Sequence, residues 1–468
     1  MVGLVRTLTA VAIAHAACGR FDFALRGESG GDAGPTGTDA IATGSASPRY
    51  AEILDGNGGT PLVAGAQGEV AVAETFVTAT TIAGIALTGQ AMYESWGLVW
   101  LDGSGAPAST SVLDSTSICE LRALASAGSG VIAAGIAESG ATTPALGACA
   151  IATAREDGVA ISVATDGSQA LGAHLASSAM NDQSWFAAAF GDGTIATDGI
   201  YGTAGTLGSQ MLPGTTSDEN AWFARVDPTT GEPLWVTTVT TADDDYAGPI
   251  AADGEELCMM GSFSNTVTVL GTQLTSAGGA DEWVARVDAT GAAKFVRQVG
   301  TTGAESTTMS LAIAATADGG CTASFKAGGD LVLDSISLPV ADGPAVLLHF
   351  GPTGALSAGQ RLAAVPSLAR VAGGTYAAVA CAQPCELGGA TYTPVASDVA
   401  IFALDDALDA SPLAAVTGGV STLYAFTAVP PDALAIGFSF IAPTTFGPTV
   451  LPEQETAENA IAVLGVAP

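Results

Sequence analysis

Two histidines limit the chemistry that this sequence could perform. After His15, the only histidines are His174 and His349, so a histidine metal cluster or a Ser-His-Asp site would need one of them. Both fall in alternating apolar patterns typical of β-strands, His349 within residues 345–350, which favours packed or surface strand positions. No G-x-S-x-G sequence, phosphate loop, zinc-spaced cysteine pair or dinucleotide fingerprint occurs in a supporting context. The sequence therefore predicts no enzyme activity and no cofactor.

Acidic residues recur along the chain at intervals of 56 to 63 residues, found by subtracting their numbers. Each opens a strand-like run, and the set is Glu94, Asp157, Asp218, Asp281, Asp342, Asp398 and Glu458. Repeated carboxylates could line one face as oxygen ligands for calcium. The alternative is that each accepts backbone N–H hydrogen bonds and fixes the start of its strand. We expect this structural role, because a structural device must be repeated in each unit whereas a site usually is not.

Two polar runs are the predicted places for a binding surface. They are residues 240–246 (TTADDDY) and 451–458 (LPEQETAE), which read as loops between strands. Loops held on a rigid framework often carry function. The acids Asp243, Asp244 and Asp245 could also hold a cation weakly.

The spacing of the acids belongs to a repeated unit that is clearest at residues 270–300. Residues 282–288 and 293–299 read as two strands joined by a tight turn, and residues 246–252 and 257–263 precede them as two more strands joined by Asp253-Gly254. Each unit thus holds four strands, with a long excursion between the second and the third. Further turn signals lie a near-constant distance before the six later acids: Gly147, Gly208, Gly271, Asp334, Gly388 and Gly447.

The two ends of the chain favour a closed ring of such units over an open solenoid. The last unit ends at residues 460–464 without a fourth strand, whereas residues 49–54 (RYAEIL) form a spare strand before the first unit. Pairing of these segments would complete the last unit. The sequence therefore predicts an all-β fold, a seven-bladed β-propeller of four-stranded blades closed by an N-terminal strand. The tryptophans Trp222 and Trp283 occupy matching positions and are expected to pack between blades.

The pattern "G-S-F … G … D-x-W-V-A-R-V-D-x-T-G" over residues 205–306 resembles the SBBP-type β-propeller repeats of bacterial surface and secreted proteins. Copies one, five, six and seven depart from it. The resemblance implies a fold and a location rather than a reaction, and it implies that the repeat residues are structural.

The N-terminus has the features of an export signal. Arg6 precedes an apolar stretch at residues 8–17, and small residues follow. Ala14-His15-Ala16 fits a simple cleavage site, whereas Ala16-Ala17-Cys18 resembles a bacterial lipobox in which Cys18 is lipidated. The predicted organisation is a signal peptide at residues 1–17, a flexible Gly/Ser/Asp-rich tether at 18–47 and the propeller at 48–468. The expected location is the outer membrane or cell surface, with periplasmic or free secretion as the alternative.

Cysteine usage fits an exported protein. Without Cys18 an even number remains of the 7 cysteines, and disulfides are expected in an oxidising compartment. Three pairings are plausible, although spacing alone cannot choose among about 15 connectivities. They are Cys381 with Cys385, Cys258 with Cys321, and Cys119 with Cys149.

Composition narrows the partners. Hydrophobic residues make up 48% of the chain and charged residues 13%, which suits sheets buried on both faces. The net charge of −33, with Lys294 and Lys326 as the only lysines, argues against nucleic acid and leaves membrane contact to a lipid anchor at Cys18. We expect a monomeric, non-enzymatic scaffold that binds a protein, glycan or envelope component through loops on one face. The alternative is a carboxylate-based glycan hydrolase or lyase with its site at the mouth of the central channel.

Overall fold

The computed structural model describes residues 46–54, 62–77, 79–88, 94–113, 120–138, 156–177, 182–202, 204–214, 219–241, 243–303, 311–371, 373–454 and 457–466. Over these residues the fold is all-β, as predicted, and the paired strands are antiparallel. One short 3-10 turn, Val340–Asp342, interrupts the strands. None of the described residues belongs to a helix long and apolar enough to cross a membrane.

The first part of the chain forms three sheets. Its strands are β1 (Ala46–Ile53), β2 (Leu62–Ala66), β3 (Glu69–Val77), β4 (Ala79–Ile82), β5 (Ile85–Thr88), β6 (Glu94–Leu101), β7 (Pro107–Leu113), β8 (Glu120–Ala127), β9 (Gly130–Glu138), β10 (Glu156–Ala164), β11 (Gln169–Ser177), β12 (Gln183–Ala189), β13 (Ile195–Tyr201), β14 (Gly205–Leu207), β15 (Gln210–Leu212), β16 (Asn220–Val226) and β17 (Pro233–Val239). Sheet 1 has the order β2-β3-β6-β7, sheet 2 the order β8-β9-β10-β11, and sheet 3 the order β12-β13-β16-β17. The hairpin β14-β15 extends sheet 2 beyond β11, while β4 and β5 form a separate hairpin.

Two more sheets follow. Their strands are β18 (Tyr246–Asp253), β19 (Glu256–Phe263), β20 (Thr266–Val269), β21 (Thr272–Thr275), β22 (Asp281–Val287), β23 (Ala293–Val299), β24 (Leu311–Ala315), β25 (Cys321–Lys326), β26 (Leu331–Leu333), β27 (Ile336–Leu338), β28 (Ala345–Phe350) and β29 (Leu356–Leu362). Sheet 4 is β18-β19-β22-β23 and sheet 5 is β24-β25-β28-β29. The excursions from second to third strand form the small hairpins β20-β21 and β26-β27.

The remaining strands form one eight-stranded sheet together with β1. They are β30 (Ser367–Val371), β31 (Gly374–Cys381), β32 (Cys385–Leu387), β33 (Ala390–Tyr392), β34 (Asp398–Leu404), β35 (Ala410–Val429), β36 (Ala433–Phe446), β37 (Thr449–Leu451) and β38 (Glu458–Val466). The order is β1-β38-β36-β35-β34-β31-β30, with β37 beside β36 and β32-β33 as a separate hairpin. The long strand β35 pairs with β34 up to Val416 and with β36 from Thr417. We therefore treat β30, β31, β34 and the start of β35 as sheet 6, and the rest of β35 with β36, β38 and β1 as sheet 7.

The first and last described strands pair with each other, as the sequence predicted. β1 is antiparallel to β38, and Ala51 lies opposite Ala462. The strand begins at Ala46, two residues before the expected boundary at Pro48, while residues 1–45, which include the predicted signal peptide and most of the tether, lie outside the described part.

Apolar side chains lie between neighbouring sheets, and this explains why the middle strands are apolar on both faces. Every residue of β16 (NAWFARV) and β22 (DEWVARV) is buried. Trp283 packs in the cluster between sheets 3 and 4, edge-on to Phe223 at 5.2 Å, whereas Trp222 belongs to the cluster between sheets 2 and 3. The expected packing role of both tryptophans is confirmed. The first strands contact one another in the pairs β2–β8, β8–β12, β12–β18, β18–β24, β24–β30, β30–β35 and β35–β2.

The predicted turn signals are real, but one strand start was placed wrongly. The described signals have positive φ and lie in turns of the outer hairpins: Gly208 (54°), Gly271 (80°), Asp334 (52°), Gly388 (53°) and Gly447 (56°). Gly147 lies outside the described residues. Asp342 does not open the third strand of sheet 5, because it lies exposed in the 3-10 turn and β28 begins three positions later. Regular spacing misled here, since the preceding excursion ends in a different turn.

Candidate functional site

A central cavity of about 470 Å³ lies among the first strands. Its lining comes from every sheet and is dominated by small residues, including Gly65, Ala125, Ala188, Ala251 and Ala314. Among the described lining residues Arg370 alone carries a charge, and its Nη1 lies 2.5 Å from Asp253 Oδ1. A lining of this kind offers shape and a little apolar surface but no carboxylate for acid or base catalysis.

The strands of each sheet alternate in direction, so the two ends of a sheet differ in their connections. Tight turns join first to second and third to fourth strands at one end, which we call the turn end. The longer excursions and the connections from sheet to sheet lie at the opposite end, the loop end. Both polar runs predicted as binding surface, residues 240–246 and 451–458, fall at the loop end.

Two aromatic rings stack at the loop end of sheets 3 and 4. Trp185 near the start of β12 and Tyr246 at the start of β18 lie 5.9 Å apart, with an angle of 8° between their ring planes. Both side chains are half-buried, and Trp185 Nε1 donates to Gln183 Oε1 at 2.7 Å. The sequence reasoning considered only the buried tryptophans and missed this pair. A signal was present, since Asp182 and Asp245 each precede an aromatic residue at the start of a first strand.

Carboxylates surround the tyrosine of this pair. Tyr246 Oη donates to Asp244 Oδ2 at 3.4 Å, and Asp244 Oδ1 accepts the backbone N–H of Glu219 at 3.2 Å. Burial and the charges of Glu219 and Asp244 raise the pKa of Tyr246 to about 12. Burial, with the charge of Asp244, also raises the pKa of Glu219. We call Trp185, Glu219, Asp243, Asp244 and Tyr246 the aromatic–acidic patch.

The third acid of the run is buried beneath this patch. Asp245 is fully buried, and burial raises its pKa to about 7, with a further contribution from the charges of Asp243 and Asp244 and opposition from hydrogen bonds with Thr241. Asp243 is instead bonded to Asn265 on the surface. The three acids therefore do not converge on one point, and the described residues provide no shared cation site there.

Two of the repeat acids accept backbone hydrogen bonds near the start of the strands they open. Asp281 Oδ2 accepts the backbone N–H of Ala277 at 2.9 Å, and Asp398 Oδ2 accepts that of Val395 at 3.1 Å. Asp157 is also buried and lies 2.9 Å from His174 Nε2. Glu458 opens β38, whereas Asp218 and the side chain of Glu94 lie outside the described residues. Within the described part, no three repeat acids come close enough to share an ion.

His349 lies within a strand, as predicted, and also contacts two polar side chains. It is 1% exposed in β28, its Nδ1 lies 3.0 Å from Thr322 Oγ1, and its Nε2 lies 3.2 Å from Asp318 Oδ2. One ligand atom each from Asp318, His349 and Asp406 lies within 4.8 Å of the others. Sequence reasoning named His349 but not its two partners, which come from turns of different sheets. The other histidine, His174, is in the fourth strand β11, as predicted.

Two of the expected disulfides are bonded. Cys258–Cys321 joins β19 of sheet 4 to β25 of sheet 5, and Cys381–Cys385 closes a short loop after β31. Disulfides indicate an extracellular or otherwise oxidising compartment. Cys119, Cys149 and the predicted lipidation site Cys18 lie outside the described residues.

Comparison with known proteins gives no family. No protein-family model matches the sequence, and no curated protein matches it. Among solved structures, the chain is similar to a leech intramolecular trans-sialidase in complex with 2,7-anhydro-Neu5Ac, with 8% identity and a TM-score of 0.30. That match covers 88% of this chain and 68% of the sialidase. A likeness this weak supports no conclusion about the activity of this chain.

Proposed function

We propose that the chain is an exported, non-enzymatic seven-bladed β-propeller that binds a protein, glycan or envelope component at its loop end. Sheets 1 to 7 are the blades, and β1 completes the last of them. Two observations support the ring: the pairing of β1 with β38, and the series of first-strand contacts that returns from β35 to β2. The resemblance to SBBP-type repeats over residues 205–306 is in keeping with it.

The observation that carries the binding role is the aromatic–acidic patch. The half-buried Trp185–Tyr246 stack offers a flat apolar surface, and Asp243 and Asp244 beside it are exposed hydrogen-bond acceptors. Aromatic faces bordered by acceptors suit a sugar ring or a basic peptide side chain. The first strands on both sides fix the pair, so little conformational entropy would be lost on binding.

The alternative, a carboxylate-based glycan hydrolase or lyase, has less support. Such enzymes need two carboxyl groups that flank the substrate, about 5 to 9.5 Å apart. The described cavity lining contains no carboxylate, and Asp182 and Asp245, although near the loop end, are both 0% exposed. The central cavity therefore gives no support to the hydrolase, and the carboxylates of the aromatic–acidic patch are assigned here to recognition.

The proposed location is supported by the disulfides, and its anchor would be Cys18. An oxidising compartment agrees with export, and lipidation of Cys18 would hold the protein at a membrane surface. Incorporation of a palmitate analogue by the wild type, and its loss in Cys18→Ala, tests this anchor.

A glycan array probed with the full exported chain, with and without calcium, tests the binding role. We expect retention of neutral or amine-bearing glycans rather than anionic ones, and at least about tenfold weaker binding by the double variant Trp185→Ala/Tyr246→Ala. Trp235→Ala is the matched control, because Trp235 lies against Gly291 at the turn end. Binding that the patch variant leaves unchanged would overturn the assignment of the surface, and cleavage of a bound glycan would favour the hydrolase.

A further inference from the structure

Asp318, His349 and Asp406 converge at the turn end of the junction between sheets 5 and 6. Asp318 lies in the turn between β24 and β25, His349 in β28, and Asp406 in the turn between β34 and β35. The two aspartates are exposed, while the imidazole is 1% exposed. A buried nitrogen donor thus points toward two carboxylates that approach from the solvent side.

The ligand atoms are oriented by further hydrogen bonds. Asp318 Oδ1 accepts from Thr316 Oγ1 at 2.6 Å and from the Gly320 N–H at 2.8 Å, which leaves Oδ2 directed at His349 Nε2. His349 Nδ1 lies 3.0 Å from Thr322 Oγ1, so Nδ1–H can donate to that hydroxyl when Nε2 gives up its contact with Asp318 Oδ2 to bind a metal ion. Metal-binding histidines are held in this way, with the second ring nitrogen donating to a fixed acceptor.

The turn that carries Asp406 is also preorganised. Asp405 Oδ1 accepts the N–H groups of Ala407 and Asp409 at 2.9 and 2.8 Å, so the turn is locked by the residue beside Asp406. Asp406 itself makes no hydrogen bond or ion pair with another described residue. Its carboxylate is therefore available to a ligand shared with Asp318 and His349.

In sheets 3 and 4, the residue that corresponds to His349 is an arginine that links its sheet to the next one. Arg225, Arg286 and His349 each occupy the next-to-last position of the third strand, in sheets 3, 4 and 5. Arg225 Nη1 donates to the carbonyl of Ala289 in the next sheet at 2.9 Å, and Arg286 donates to the carbonyl of Gly320 in the next sheet. Imidazole is shorter than the arginine side chain, so His349 cannot span its junction in the same manner. A bound cation between His349 and Asp406 would supply the missing link.

We propose that Asp318, His349 and Asp406 bind one divalent transition-metal ion of the zinc class, which cross-links sheets 5 and 6. Zinc takes one imidazole nitrogen and carboxylate oxygens at about 2.0 to 2.2 Å, and the exposed aspartates can close to that distance by rotating. Water would fill the remaining position. Calcium fits poorly, because it takes six to eight oxygen ligands and this site offers an imidazole and two carboxylates.

Isothermal titration of the full exported chain tests the site, with protein purified without a histidine tag and stripped with EDTA. We expect binding of one Zn²⁺ per chain, no matching response to Ca²⁺, and a higher melting temperature with zinc than with EDTA. Asp406→Ala should lose the binding and the zinc-dependent rise in melting temperature, while its melting temperature in EDTA stays that of the wild type. The matched control His174→Gln, at the other histidine–aspartate pair, should bind zinc as the wild type does.

The variant His349→Arg separates a metal site from a simple ion pair. It should bind no zinc yet melt in EDTA near the temperature of the zinc-loaded wild type, because arginine restores the direct link seen for Arg225 and Arg286. The proposal is overturned if the wild type does not bind zinc, or if Asp406→Ala binds it unchanged.

Discussion

The junction between sheets 4 and 5 and the junction between sheets 6 and 7 are held by different means. Between sheets 4 and 5, the Cys258–Cys321 disulfide joins the second strands. Arg286, only 2% exposed, pairs with Glu256 and Asp253 on its own sheet and donates to the Gly320 carbonyl of the next. Covalent and charged links thus reinforce an apolar interface.

Between sheets 6 and 7 the link is the backbone itself. Strand β35 runs from one sheet into the other, with a change of partner after Val416. The side chains that fill this junction are apolar and include the fully buried Phe438 and Phe440, whose ring centroids lie 6.2 Å apart. Neither a disulfide nor a buried arginine crosses this junction among the described residues.

The two junctions indicate that side-chain cross-links matter most where neighbouring sheets share no strand. A strand shared by two sheets fixes their relative position through its hydrogen bonds, so apolar packing completes the junction. Sheets 4 and 5 share no strand among the described residues, and a disulfide with a buried arginine links them. Different substitutions should therefore destabilise the two junctions.

The largest effect is expected at the junction between sheets 6 and 7, where apolar packing completes what the shared strand begins. Phe438→Ala removes a fully buried ring beside Phe440 and should lower the free energy of unfolding by about 5 kcal/mol, the upper part of the range for such cavities. Urea unfolding followed by tryptophan fluorescence measures this. The loss should be the same with and without reductant, because neither of the two disulfides that the structure describes crosses this junction. A loss that appears only in reductant would contradict this view.

The next effect concerns the disulfide between sheets 4 and 5. Its cysteines are separated by 63 positions, and removing the constraint from the unfolded chain with Cys258→Ala/Cys321→Ala should cost about 4 kcal/mol. The matched control is Cys381→Ala/Cys385→Ala, whose separation of 4 predicts a smaller cost of about 2 kcal/mol. The same urea unfolding under oxidising conditions measures both. Equal costs would show that loop length is not the source of the stabilisation.

Local patterns were sufficient to predict the strands and the tight turns. Residues 293–299, for example, alternate as a strand must and form β23 with the same bounds. The even cysteine count, with the N-terminus read as an export signal, led to three candidate pairs, and the two that the structure describes are bonded. The regular spacing of the acidic residues failed in sheet 5, where the segment between the second and third strands ends in a 3-10 turn. Asp342 was therefore assigned to a strand that begins after it.

The candidate sites could not be predicted in the same way, because their parts come from different sheets. Trp185 and Tyr246 meet only when the first strands of sheets 3 and 4 pack side by side. Nothing in a linear pattern shows that the turn with Asp406 faces His349. Contacts between repeats depend on the stacking geometry, which the spacing of one repeat does not specify.

The junction between sheets 3 and 4 offers a third case. A carboxyl group is buried there with no ion pair to a cationic side chain among the described residues. Asp198 in β13 is 0% exposed, its Oδ1 accepts the N–H of Phe186 at 3.1 Å, and its Oδ2 has no hydrogen-bond partner among the described residues. Burial raises the pKa of Asp198 well above its ordinary value. Unlike the guanidinium of Arg286, which pairs with carboxylates, this carboxyl group is buried in surroundings that favour its neutral form.

The sign of the resulting pH dependence follows from that shift. Because the folded-state pKa of Asp198 exceeds the unfolded value, its stabilising contribution is present at low pH and is lost as the pH rises toward the folded-state pKa. Asp198→Asn cannot ionise, so its free energy of unfolding relative to wild type should rise between pH 4 and pH 5, as the unfolded wild-type chain loses the proton that the folded one keeps. Urea unfolding at the two pH values measures this difference. Asp166→Asn should change in the opposite direction, because hydrogen bonds from Ser168 lower the pKa of Asp166. A pH-independent difference for Asp198→Asn would mean that the carboxyl is ionised in the fold at both pH values.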